Sequence, residues 1–107
     1  MISFLCEKND GSTARYVARE GDSFIAAAET AGNLIVSVSF ADEECEKRYR
    51  DFVLRSAVFV LRDKYSVVKA AFSDEILKRL GFAEEDGGMS ADSVKITFDN
   101  CHGGCVK

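Results

Sequence analysis

The sequence lacks proline and tryptophan, contains a single histidine, and has no run of 18 consecutive apolar residues. Without such a run we expect no membrane-spanning helix. Any Ser-His-Asp or Cys-His catalytic device would have to use His102, which stands beside Gly103 and Gly104 in a tail that would hold such a geometry poorly. P-loop and dinucleotide fingerprints are absent, as is an aromatic and basic platform for nucleic acid.

The chain also lacks a net positive charge. The chain carries 14 Lys and Arg against 18 Asp and Glu, giving a net charge of −4, so it has no electrostatic footprint for nucleic acid or anionic lipid. A hydrophobic fraction of 47% is too high for a disordered chain. With neither repeats nor linkers, the sequence predicts one domain over residues 1–107 that binds neither nucleic acid nor membrane.

The N-terminus does not have the pattern of a secretory signal. Met1–Cys6 is apolar, but charged and polar residues follow from Glu7 onward, and a signal needs a basic start and a longer apolar run. We therefore expect a cytoplasmic protein, where thiols stay reduced. Its four cysteines are interpreted as free thiols: Cys6, Cys45, Cys101 and Cys105.

The first 40 residues predict a meander of strands, because apolar and polar residues alternate between turn signals. Asn9–Ser12 is the clearest turn, since Asn, Asp and Gly tolerate left-handed backbone. Leu34–Phe40 is the clearest strand, with Leu34, Val36, Val38 and Phe40 expected on one face. The strands before it are Ile2–Glu7, Ala14–Glu20 and Ser23–Thr30.

A change of period then predicts one long helix over Asp42–Tyr65, or a short loop followed by a helix, in a segment that contains no Gly or Pro. Acidic residues begin it, and Arg62 and Lys64 end it, as the helix dipole favours. Phe52–Leu54 and Ala57–Leu61 make the helix apolar almost all round. Such a helix packs on a sheet and on something else too, which favours a homodimer.

The C-terminal part predicts a strand, a short helix and a last strand. Ser66–Phe72 is short and β-branched, and Ser73 can cap the helix that contains Ile76, Leu77 and Leu80. Gly81 suits the left-handed C-cap, and Phe82 can fold back on the last turn. The remainder is interpreted as a loop, a strand and a flexible tail: Ala83–Ala91, Ser93–Asp99 and residues 100–107.

This order of elements predicts the fold class. A strand–helix–strand crossover implies at least one parallel pair, and the other strands should be antiparallel. We therefore expect a mixed α/β (α+β) domain with helices packed on a mostly antiparallel sheet.

The element order and the tract Ile76–Phe82 (ILKRLGF) resemble the GNAT acetyltransferase superfamily. In that family a short helix often ends in a tract of the form F-Y-E-K-L-G-F. The resemblance covers residues 14–99, and Leu34–Phe40 corresponds to the family's fourth strand. The family's first helices have no counterpart, because only a short turn separates the first two strands.

The resemblance implies acetyl-CoA as the cofactor, held at the splayed ends of Leu34–Phe40 and Ser66–Phe72. Lys47, Arg48 and Arg50 would meet its phosphates, and backbone groups from Val38 to Phe40 would hold its pantetheine arm. The family's R-G-x-G-x-G loop is not present, since its glycines fall on Glu46, Arg48 and Arg50. Acidic residues nearby would repel phosphate.

The general acid and base stay open. The family's acidic tyrosine corresponds to Leu77, which cannot transfer a proton. Tyr49 and Tyr65 are alternatives by residue type, with a packing role as the other interpretation of both. Glu29 or Glu20 could act as the base, or be ordinary surface carboxylates.

Cys101, His102 and Cys105 form the one cluster of metal-ligand residue types in the sequence. Zinc would need a fourth ligand from elsewhere, for which Cys6 is a candidate. A redox pair of Cys101 with Cys105 and incidental thiols in a tail are the alternatives, and we expect no metal.

Two functions follow. The first is an atypical acyl-CoA-dependent N-acetyltransferase acting on a small-molecule or peptide amine. The second is a non-catalytic GNAT-like binding or regulatory module that acts through assembly.

Overall fold

The computed structural model describes residues 2–96, which form seven strands and two α-helices. A 3-10 turn at Ser93–Lys95 follows the last strand. In chain order the elements are β1 (Ile2–Asn9), β2 (Thr13–Glu20), β3 (Ser23–Ala31), β4 (Leu34–Phe40), α1 (Glu43–Lys64), β5 (Val67–Ala70), α2 (Glu75–Leu80), β6 (Ala83–Glu85) and β7 (Gly88–Asp92).

All seven strands belong to one sheet in the order β1-β2-β3-β4-β5-β7-β6. Only β4 and β5 run parallel, and α1 connects them; the other neighbours are antiparallel. The predicted mixed α/β class with a mostly antiparallel sheet is confirmed.

Local turn chemistry builds the meander from β1 to β4. The Asn9 side chain accepts a hydrogen bond from the Gly11 N–H at 3.0 Å, and Gly11 adopts a φ of 89° that favours glycine. As predicted, only this turn separates the first two strands.

A β-bulge in β4 makes part of the facing prediction wrong. Glu29 pairs with Ser37, but the next residue of β3, Thr30, pairs with Ile35, so Val36 is the extra residue. Ile35 is fully buried in the core, whereas Val36 is exposed. Val38 packs against the core as expected. The bulge therefore reverses the alternation halfway along the strand.

Helix α1 lies within the predicted range and is capped by Asp42, whose side chain accepts from the Cys45 N–H at 2.8 Å. One face is buried against the sheet: Val53, Leu54, Ala57, Val58 and Leu61. The opposite face leaves Phe52 and Phe59 37% and 52% exposed.

The prediction that Ser73 caps α2 is wrong, because the helix starts one residue later. The N-cap is Asp74, whose carboxylate accepts from the Ile76 N–H at 2.9 Å. Its C-terminus is confirmed, because Gly81 is left-handed with φ 112°. Phe82 is buried, and its N–H donates to the Leu77 carbonyl at 3.0 Å.

The chain after α2 differs from the prediction of a loop followed by a strand at Ser93–Asp99. Ala83–Ala91 holds the β6–β7 hairpin, with Gly87 at φ 75° in its turn. Ser93–Lys95 is a 3-10 turn and not a strand, and Val94 is 92% exposed. Residues 97–99 and the predicted tail 100–107 lie outside the described residues.

Both helices pack on the same face of the sheet. Ala57 and Leu61 of α1 and Leu77 of α2 share one apolar cluster with Ile35 and Met89. On β1–β3, the other face carries ion pairs of Arg15 with Glu29 and of Arg19 with Glu7, at 3.0 and 2.8 Å. Residues 2–96 contain no helix that is both long and apolar enough to cross a membrane.

Gly88 provides a test of the β5–β7 packing. A Cβ at this position would collide with the backbone carbonyl oxygen of Ala70, so Gly88→Ala should lower the free energy of unfolding by about 2–3 kcal/mol. The control is Gly87→Ala, where a Cβ meets nothing within 4 Å and only the left-handed backbone costs about 1 kcal/mol. Urea unfolding measures both. Equal stabilities for the two variants would contradict this packing.

Candidate functional site

A cleft opens where β4 and β5 separate. The strands pair only through Leu34 with Lys69 and Ile35 with Ala70. Beyond the hydrogen bond from the Ala71 N–H to the Ile35 carbonyl, at 2.9 Å, β4 continues while the chain after β5 turns toward α2. The resulting cleft has a volume of about 290 Å³ and is lined by Val36, Ser37, Val38, Arg50, Ala71, Phe72 and Ser73.

The wall formed by β4 consists of the bulged segment. Because Val36 is the extra residue, the strand bends here. No described strand pairs with Val36–Phe40 on the β5 side, since the β4–β5 register ends at Ile35. An unpaired strand edge can hydrogen-bond an extended ligand that carries amide groups. The cleft therefore offers a backbone edge together with side chains from α1 and the β5–α2 connection.

Arg50 reaches the cleft from α1 and is held by two carboxylates. Its guanidinium donates to Asp74, through Nε at 2.8 Å and through Nη2, and to Glu46 through Nη1 at 2.9 Å. The Asp74 side chain is only 7% exposed and also caps α2. Arg50 thus joins α1 to the start of α2, and its charge is already balanced.

The other two basic residues expected at the phosphates do not line the cleft. Arg48 lies two residues before Arg50, which is about 200° around a helix, and its guanidinium lies 6.0 Å from the Tyr49 ring centroid. It lines a separate depression with Glu20 and Cys45. Lys47 is exposed and lines neither. The structure does not bring Lys47, Arg48 and Arg50 together.

The two predicted pantetheine contacts are also divided. Val38 lines the cleft, whereas Phe40 packs against the cluster of Ala18, Ile25, Ala26 and Val53. Ser37 and Ser73 line the cleft as well. Neither serine was predicted from the sequence as a site residue. The one available signal was for Ser73, whose position just before α2 places it at the end of the β5 segment.

The N-terminus of α1 is strongly negative. Glu43, Glu44 and Glu46 occupy its first turn. The hydrogen bond from the Cys45 N–H lowers the pKa of the Asp42 carboxyl. Burial raises the pKa of the Cys45 thiol, and the neighbouring Asp42 carboxylate raises it further. A helix N-terminus ordinarily lowers a thiol pKa, but burial and the Asp42 carboxylate both act in the opposite direction on Cys45. The acidic first turn also opposes the binding of an anion at this end of the helix.

The candidate acids and bases lie away from the cleft. The Tyr49 hydroxyl donates to Glu20 at 3.3 Å, Tyr65 is 40% exposed at the end of α1, and Glu29 accepts from Arg15 at 3.0 Å. None of these residues lines the cleft. Leu77 is fully buried in the core.

Of the four residues predicted as possible zinc ligands, only Cys6 lies within residues 2–96. Cys101, His102 and Cys105 lie outside the described residues. Residues 2–96 contain no group of three or more His, Cys, Asp or Glu side chains that could hold a metal ion. Cys6 and Cys45 are free thiols.

Comparison with known proteins gives no match: no protein-family model fits the chain, and a search of curated proteins also found nothing similar. The candidate site is therefore defined by its geometry and residue chemistry.

Removing the Arg50 guanidinium tests its role as a clamp. Arg50→Met leaves the mostly buried Asp74 carboxylate without its charged donors, so the free energy of unfolding should fall by about 1–3 kcal/mol. Lys47→Met, an exposed site one turn away, should change it by less than about 0.5 kcal/mol. Chemical denaturation measures both variants, and an Arg50→Met protein as stable as Lys47→Met would refute the clamp.

The reactivity of Cys45 reports the negative potential at the α1 N-terminus. Asp42→Asn removes a carboxylate that raises the Cys45 pKa, so more thiolate is present at pH 8 and alkylation should become about two- to fivefold faster. Iodoacetamide labelling followed by peptide mass spectrometry measures the rate. Glu43→Gln, in the same turn, is the control and should leave the rate unchanged. A rate equally unaffected by Asp42→Asn would show that the carboxylate does not govern this thiol.

Proposed function

We propose that the chain is a GNAT-like domain that binds the acyl-pantetheine arm of acetyl-CoA between β4 and β5, as an atypical N-acetyltransferase. The observation that carries the proposal is the separation of the two parallel strands after Ile35, beside α1. Ligands of α/β sheets bind outside the carboxyl ends of parallel strands. The resemblance of the element order and of the tract Ile76–Phe82 to the family supports the same site.

The chemistry of the cleft suits the arm. Pantetheine is an extended chain with two amide groups, which can hydrogen-bond to a strand edge as a further strand would. Val36–Val38 supplies that edge. The apolar side chains of Val38 and Phe72 line the same space and suit the methylene and methyl groups of the arm.

The nucleotide end of acetyl-CoA contributes little in this proposal. Arg50 is already bound by Asp74 and Glu46, and the first turn of α1 is acidic. Lys47 and Arg48 are exposed to solvent, so their ion pairs with the phosphates would add little to the binding free energy. The affinity for acetyl-CoA should therefore come mainly from the arm.

The transfer itself moves an acetyl group from the thioester sulfur to an amine of a small molecule or peptide. The amine gives up a proton, and the departing thiolate takes one. Leu77 stands at the position of the family's tyrosine and cannot supply that proton. The cleft lining instead offers the hydroxyls of Ser37 and Ser73, which can donate and accept hydrogen bonds. The cytoplasm, which contains acetyl-CoA, is the proposed location.

A non-catalytic GNAT-like module acting through assembly is the second candidate. The observation that favours it is the balanced charge of Arg50, which makes this residue a structural clamp. In this case the cleft takes no acyl-CoA, and the domain works through its surface.

Thermal shift with three ligands separates the two candidates. Acetyl-CoA and S-acetylpantetheine should raise Tm by similar amounts, and adenosine 3′,5′-bisphosphate should not. A ligand at 100 times its Kd stabilises the folded state by about 2.7 kcal/mol. No shift with either acyl ligand at millimolar concentration would sink acetyl-CoA binding and leave the second candidate.

Matched serine variants test the location. Ser73→Phe places an aromatic ring in the cleft at an exposed position, so the shift should disappear. Ser39→Phe puts the same ring on an exposed site of β4 outside the cleft, and the shift should persist. A shift that survives Ser73→Phe would place the ligand elsewhere.

A further inference from the structure

A small polar niche lies where the β1–β2 turn, β3 and the C-terminal end of α1 meet. Its buried lining includes Tyr16 and Thr30, whose exposed fractions are 5% and 4%, together with Leu61. Its exposed rim includes Ser12 and Lys64. The volume is about 50 Å³. We name this space the hairpin niche.

The niche forms where small side chains of the sheet lie beyond the last buried turn of α1. Tyr16 pairs with Ala28, and Ala14 pairs with Thr30. Cross-strand partners share a face of the sheet, as do residues two apart on one strand. Since Ala28 packs with Leu61 of α1, all four side chains lie on the helix side of the sheet. The helix ends three residues after Leu61, and Ala14 is too small to fill the space that remains.

Two buried hydroxyl groups face this space without a partner from the protein. Tyr16 stacks its ring on Phe4, with centroids 5.6 Å apart, but within residues 2–96 neither its hydroxyl nor that of Thr30 forms a hydrogen bond with another protein group. No fully enclosed side-chain oxygen or nitrogen in this range lacks a partner, so both hydroxyl oxygens have access to the niche. Buried polar groups almost always bond to protein or to ordered water, which points to a ligand between them.

The charges around the niche favour a neutral ligand. Among the described residues that line it, Lys64 alone is charged, and its ammonium group opposes a cation. The C-terminal end of α1 is the negative pole of the helix dipole and opposes an anion. Water can donate to and accept from the two hydroxyls. One molecule needs only about 10–15 Å³, so the niche has room for a small group of waters.

We propose that the hairpin niche is a binding site for ordered water, which bridges the hydroxyls of Tyr16 and Thr30 beneath the end of α1. The water gives each hydroxyl the hydrogen-bond partner that the protein does not supply, and it links β2 to β3 on the helix side. This site is separate from the proposed acetyl-CoA site. The cleft includes Arg50 from the first half of α1, whereas the niche lies at the opposite end of that helix.

A high-resolution crystal structure of the full chain tests the site directly. We expect electron density for one water, or for two linked waters, that connects the Tyr16 Oη to the Thr30 Oγ1 with each contact at about 2.7–3.2 Å. Two results would overturn the proposal: no density between the hydroxyls, or the Lys64 ammonium in the place of the water.

A double-mutant cycle tests in solution whether the two hydroxyls share the water. Tyr16→Phe and Thr30→Val each remove a hydroxyl with little change of shape. Each should lower the equilibrium constant for folding, measured by urea unfolding, about five- to tenfold, because a hydrogen bond to the water is lost. The double variant should lose much less than the product of the two factors, since a shared water is lost only once.

The control for the cycle is Tyr49→Phe, whose hydroxyl contacts Glu20 near the surface. Its removal should change the folding constant by less than about twofold. If the hydroxyls of Tyr16 and Thr30 had no water, their removal would leave the constant unchanged or raise it, because an unsatisfied buried group would be gone. That result, or two factors that simply multiply in the double variant, would contradict the shared water.

Discussion

The parallel pairing of β4 with β5 is the constraint on which the rest of the structure depends. It joins the meander β1–β4 to the C-terminal group β5-β7-β6 within one sheet, yet it extends over only two residue pairs. Two residue pairs provide few hydrogen bonds between the halves of the sheet, so the junction also depends on side-chain packing against one face. Helix α1 supplies it by burying Ala57, Val58 and Leu61 over the strands on both sides. Arg50 adds a polar link from α1 to the start of α2. The same shortness leaves the cleft open beyond Ile35, so the weakest part of the sheet and its candidate site have one origin.

Most elements could be predicted because their periods are unambiguous. Turn residues flank β2 on both sides, and α1 contains no Gly or Pro, so the type of each element could be predicted. The errors arose where two interpretations satisfied the same pattern. Leu34, Ile35 and Val36 are all apolar, so their hydrophobicity does not reveal which one faces the core, and only pairing with β3 decides it. Ser73 and Asp74 are both good caps, and the contact of Asp74 with Arg50 selects the second.

The candidate site was less accessible to sequence reasoning, for a different reason. The family resemblance placed Lys47, Arg48 and Arg50 together at the phosphates, although the helical period alone separates Arg48 from Arg50 by about 200°. That part could have been foreseen. The Asp74 carboxylate, which pairs with Arg50, lies 24 residues further along the chain. No local sequence pattern predicts that contact. The strand ends that separate were thus implied by the resemblance, whereas the charge available at them depends on tertiary contacts.

Within residues 2–96 the sheet ends in two edge strands, β1 and β6, and each has features that disfavour edge-to-edge pairing. Strand β6 is only three residues long and contains two glutamates, which repel an approaching copy. Strand β1 is longer, but its register shifts between Cys6 and Lys8, so Glu7 interrupts the row of backbone groups and Lys8 adds charge at the edge. Short, charged or bulged borders of this kind disfavour amyloid-like stacking. Both edge strands therefore carry features that oppose edge-to-edge aggregation.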